Sequence, residues 1–172
     1  MRFGDFLKAT VLLSAGAATL LAALTVISLS REFDTILLWV CAGWWSGAAL
    51  IGITLGRRAE ATPPIARLLA TARSQTTLPE LRPGTTLINR LWPLLLATLA
   101  AGVAAVWAPQ VAAIAAGFMI IGALAWRRQE AAVAAIEERD AVRFYVERTS
   151  PLKPIQLIRT PGFGGDFLRL SS

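Results

Sequence analysis

The chain contains no histidine and a single cysteine, Cys41. Without histidine, the common zinc, haem and Ser-His-Asp chemistries lose their usual ligand or base. One cysteine cannot form an internal disulfide. Charge is scarce as well. Only 16% of the 172 residues are Asp, Glu, Lys or Arg, against about 25% in an average soluble domain. That is too little to cover a water-facing surface, and 55% of the chain is apolar with a mean hydropathy of +0.57. The length suits one domain, and the composition excludes a disordered chain and argues against a soluble globular one.

Long uncharged runs set the architecture. Ala9–Ser30 and Thr35–Gly56 hold 22 residues each without an ionised side chain. At 1.5 Å per residue each reaches ~33 Å, enough for a hydrocarbon core ~30 Å thick. Leu91–Trp126 is a third uncharged run of 36 residues, ~54 Å as one helix and too long for one crossing. Ala108-Pro109-Gln110 breaks it, because proline cannot continue helical hydrogen bonding and restricts the residue before it. The expected fold is an all-α integral membrane protein with four transmembrane helices arranged as two hairpins. Its spans cover about 9–30, 35–56, 89–107 and 110–126, so the bundle occupies 1–126 with a central loop at 57–88. A helical extension and a Pro-rich extended tail occupy 127–172. A signal peptide ending at Ser28-Leu29-Ser30 is the competing account of the first span, but the apolar stretch is longer than a typical one.

Orientation follows from the basic residues. The segment before span 1, residues 57–90 and the segment after span 4 hold 16 of the 17 lysines and arginines, with Arg90 at the start of span 3 snorkelling to the interface, and the short turns hold only Arg31. The positive-inside rule places both termini and the central loop in the cytoplasm, with the plasma (inner) membrane as the expected location. The pI of 11.0 is then a topology signal with an affinity for the lipid bilayer, and no nucleic-acid partner is needed to explain it.

Acid and base are missing from the expected membrane interior, where Cys41 is the one titratable group. The remaining polar side chains there are hydroxyls, including Thr10, Ser14, Thr19, Thr25, Ser28, Ser46, Thr54 and Thr98. Proton relays, ion-coupled transporters and voltage sensors place ionisable groups within the bilayer, so coupled transport by this chain alone is disfavoured. Cys41, among Val40, Ala42 and Gly43, reads as a small hydrophobe.

Small residues recur at helical spacing. Gly43-x-x-x-Gly47 and Ala48-x-x-x-Gly52-x-x-x-Gly56 mark two faces of span 2. Ala97, Ala101 and Ala105 do so on span 3, and Ala112, Ala116, Gly117 and Gly122 on span 4. Lipid tails give helices no hydrophobic reason to associate, so close backbone approach at Gly43, Gly47, Gly52, Gly56, Gly117 and Gly122 is the expected source of packing. Gly47…Gly52 followed by Arg57-Arg58 and Gly117…Gly122 followed by Arg127-Arg128 lie 70 residues apart. This spacing fits either a parallel duplication or the general habit of spans ending in arginine.

The polar segments carry their own punctuation. Thr62-Pro63 reads as a helix N-cap with proline at the first position, and Ile65, Leu68, Leu69 and Ala72 share one face of a short interfacial helix. Pro83-Gly84 suits a type II turn. After Trp126 the chain is expected to stay helical to about Arg148, with Ala132, Ala135, Ile136, Val142, Tyr145 and Val146 as an approximate stripe. Glu137, Glu138 and Asp140, interleaved with Arg139 and Arg143, read as a charge-balanced surface, and no metal or cofactor site is expected. In the tail, Pro151, Lys153, Pro154, Ile155, Leu157, Ile158, Arg159 and Phe163 combine restricted backbone with apolar and basic groups. They are the candidate partner-binding or self-docking segment, with Ile155–Thr160 able to add as a strand to a sheet edge.

No nucleophile–base pair or metal set can be assembled, so an enzyme is not expected. The favoured reading is a non-enzymatic accessory or scaffold subunit that meets a protein partner through the tail. The alternatives are a small homo-oligomeric channel or exporter, and a membrane-shaping or holin-like protein.

Overall fold

The computed structural model describes residues 1–32, 34–57, 60–75, 83–147 and 154–161. Six helices lie among them: α1 (Phe3–Glu32), α2 (Thr35–Leu55), α3 (Pro63–Ala70), α4 (Pro83–Ala104), α5 (Pro109–Trp126) and α6 (Gln129–Arg139). Three short strands complete the set: β1 (Arg73–Ser74), β2 (Val142–Val146) and β3 (Leu157–Pro161). Four of the helices (α1, α2, α4 and α5) are long and apolar enough to cross a membrane. Trp39, Trp92, Trp107 and Trp126, each near a span end, are all exposed.

Chain order does not dictate which spans pack. α5 lies against both α1 and α2, whereas α1 and α2 share far less contact with each other. α5 and α2 run parallel. Trp45 Nε1 donates to the Ala113 carbonyl at 3.0 Å, Gly52 faces Ile121 and Leu124, and Arg57 meets Arg128. In the middle of the bundle Leu21 of α1 inserts among Ala101, Ala105, Ala112 and Ala116. A large side chain filling a groove of alanines brings the backbones close, which is where dispersion contacts accumulate when lipid removes the hydrophobic drive. Asp34 caps α2, its Oδ1 accepting the Leu37 N–H at 2.9 Å, and Ala108-Pro109 starts α5 as its break requires.

Beyond one end of the bundle the remaining elements form a cap. Its core contains Met1, Phe3, Phe6 and Leu7 from α1, Ile65 and Leu69 from α3, and Leu91 from α4. Val133 from α6, Val142, Phe144 and Val146 from β2, and Leu157 from β3 complete it. The strand order is β1-β3-β2, with β3 parallel to β1 and antiparallel to β2. A bridge from Arg2 to Tyr145, with Val146 N–H donating to the Met1 carbonyl at 3.0 Å, extends the far edge.

Several expectations need correction. The fold is mostly helical but carries a three-stranded sheet, so it is not all-α. The extension after Trp126 leaves helix at Arg139, and Val142–Val146 is a strand. Its alternation of Val142, Phe144 and Val146 toward one core is a period of two that the approximate helical stripe obscured. Pro83-Gly84 opens α4 instead of forming a turn, as proline's preset φ allows at a first helical position. The apolar face of α3 packs into the cap core, with Ile65 and Leu69 buried, so that face is spent on protein.

Candidate functional site

The cap brings residues far apart in sequence together with specific polar geometry. Gln129, at the first position of α6, is 1% exposed. Its Oε1 accepts the Thr62 backbone N–H at 3.0 Å, and its Nε2 donates to the Glu60 carbonyl at 3.5 Å. Beside it Arg128 Nη1 donates to the Arg57 carbonyl at 3.0 Å. These bonds tie the segment after α2 to the α5–α6 junction. At the other end of α6, Glu137 Oε1 accepts the Phe144 N–H at 2.8 Å, and Glu137 Oε2 lies 3.7 Å from Arg143 Nη1. One carboxylate thus fixes β2 to its preceding helix.

The tail splits into two populations. Leu157 and Ile158 are buried, and Ile155 packs against the cap core. Pro154 and Arg159 are exposed. Arg159 pairs with Ser74 on one side and Phe144 on the other, so β3 is the central strand of the chain's own sheet. Pro151, Lys153 and Phe163 lie outside the described residues.

The six glycines also divide. A Cβ at Gly52 would come within 2.8 Å of Leu124 Cβ and 3.1 Å of Ile121 Cα. Gly56 abuts the Leu124 carbonyl, and Gly117 lies under the Trp44 indole. Gly43, Gly47 and Gly122 have no such neighbour within 4 Å. Members of the 70-residue pairs Gly47/Gly117 and Gly52/Gly122 therefore sit in unlike surroundings, while the helices that bear them, α2 and α5, pack on each other.

Six of the span hydroxyls are turned onto their own helices. Thr10, Thr25, Ser46 and Thr98 donate to carbonyls four residues back at 2.8–2.9 Å, Thr19 does so at 3.0 Å, and Thr54 donates to the Ile51 carbonyl at 2.8 Å. Trp44, also mid-span, stacks edge-on with Phe118 at 5.7 Å. Among the acids, Asp140 pairs with Arg139 at 2.8 Å. The hydrogen bond from Arg139 holds the Asp140 carboxyl below the usual range. No group of three or more metal-ligating side chains converges among the described residues.

Sequence reasoning missed Gln129, Thr62 N–H and Glu137 as organising groups, and it missed the role of the first helical turns. Phe3, Phe6 and Leu7 repeat at i, i+3 and i+4, the signature of a buried helical face ahead of Lys8. Nothing local marks Gln129, whose partner is defined only by the fold. No family model, no curated protein and no solved structure matches the chain.

Proposed function

We propose that the chain is a non-enzymatic accessory or scaffold subunit of a membrane complex, with the cap as its docking platform in the cytoplasm. One observation carries the reading. The start of α1, the segment between the second and third spans, and the chain after the fourth span all contribute to a single apolar core. Loops that merely connect spans have no need of a shared core. A packed module of this kind offers a preorganised surface, which lowers the entropy cost of association. With Leu157 and Ile158 buried, recognition falls to the folded cap, whose exposed groups include Arg73, Arg143, Pro154 and Arg159. The channel or exporter alternative has less support, since six of the span hydroxyls donate to carbonyls of their own helices and α5 packs against α1, α2 and α4.

Gentle detergent extraction followed by native mass analysis tests this reading. A defined heteromeric complex is expected. A homo-oligomer that conducts ions or solutes in reconstituted vesicles would replace the scaffold with the channel. Reporter fusions after Phe33 and after Ser172 test the orientation, with the second reporting cytoplasm and the first the opposite side. Same-side readings would overturn the four-span topology.

A further inference from the structure

We infer that Arg57, Arg127 and Arg128 form a binding site for the phosphate-bearing headgroup of an anionic phospholipid. The ends of α2 and α5 lie side by side, with Gly52 and Gly56 pressed onto Ile121 and Leu124. Arg57 follows α2 by two residues, and Arg127-Arg128 follows α5 directly. The hydrogen bond from Arg128 Nη1 to the Arg57 carbonyl, 3.0 Å, holds these two basic segments together. All three side chains are exposed. Among the described residues the ion pairs are Arg139 with Asp140 and Arg143 with Glu137, and none involves these three arginines.

Three exposed arginines at adjoining helix ends, none of them ion-paired among the described residues, concentrate positive charge there, and a guanidinium suits phosphate oxygens through its paired donors. The position selects a lipid over a soluble phosphate. Just before the arginines on the same two helices, Ile51, Leu55 and Trp126 are exposed apolar groups, so the cations stand where the apolar surface ends. A phosphodiester at the arginines would lay its acyl chains along Ile51 and Leu55. The surface needs only that the chain sits in a bilayer, and it is independent of the scaffold reading.

The test uses the full chain in nanodiscs of equal parts phosphatidylcholine and phosphatidylglycerol, with retained lipid counted by native mass spectrometry after release. The wild-type protein should retain phosphatidylglycerol in preference. R57Q/R127Q leaves the Arg128 bond in place and should lower that retention roughly tenfold or more, from about fivefold per arginine near the surface. R139Q/R143Q removes the same formal charge elsewhere on the cap and should leave retention unchanged. Equal loss in both variants would mean that net charge alone attracts lipid, and would overturn the site. Inorganic phosphate that displaces the lipid would overturn its lipid character. Should R57Q/R127Q fail to fold, the wild-type measurement decides alone, and equal retention of the two lipids refutes the proposal.

Discussion

Gln129 Oε1 accepts the backbone N–H of Thr62 at 3.0 Å, joining residues 67 positions apart in the chain. The bond sits at the α5–α6 junction and holds the start of α3 against it. Gln129 is 1% exposed and Thr62 half-buried, so the bond is largely shielded from water. Replacing Gln129 with Leu keeps similar volume but orphans a backbone donor, a loss of about 1–3 kcal/mol. Lower thermal stability and faster amide exchange at Thr62 are expected, and unchanged exchange there would contradict the role.

The glycines of α2 should separate in the same assay. Gly52→Leu forces a side chain into Leu124 and the Ile121 backbone, and overpacking of this kind costs about 1–3 kcal/mol or more. A Cβ at Gly47 meets nothing within 4 Å, so Gly47→Leu should leave the melting temperature of the extracted protein closer to wild type than Gly52→Leu does. Equal effects at both positions would mean that α2 presents a different face to α5.

Leu157 is the buried β3 side chain of the cap core. Leu157→Ala should destabilise the cap by about 2–5 kcal/mol. Limited proteolysis should then cut the cap while the four spans remain inserted. Removal of residues 154–172 should go further, since it deletes the strand between β1 and β2. Any loss of partner binding in that truncation therefore reports on cap folding as well as on contact. Arg159→Ala, at an exposed position, isolates the contact.

Ala141 links α6 to β2 with a φ of +51°. An L-residue with a Cβ pays about 1–2 kcal/mol in this left-handed region, while glycine carries only a backbone entropy cost of ~0.5–1 kcal/mol. Ala141→Gly should raise the thermal stability of the cap slightly, by ~0.5 kcal/mol or more. A drop in melting temperature would show that the exposed methyl contributes contacts that outweigh the strain.

The amino-acid sequence by itself determined the four long apolar helices and the breaks between them. Exclusion of charge over some twenty residues is a local property, and Asp34, Pro63 and Pro109 act on the next turn of chain. It also contained the alternation of Val142, Phe144 and Val146, which a weaker helical stripe masked. Tertiary structure alone decided which glycines matter. Gly47 and Gly52 share one helix and one spacing, yet only Gly52 meets α5, because an apolar face can serve lipid or protein equally well and periodicity cannot tell them apart. The same holds for the cap. Arg73 finds Ile158 and Thr62 finds Gln129 across long stretches of chain. Those pairings exist only because burying Phe3, Ile65, Val133, Phe144 and Leu157 together removes more apolar surface from water than any one segment could remove alone.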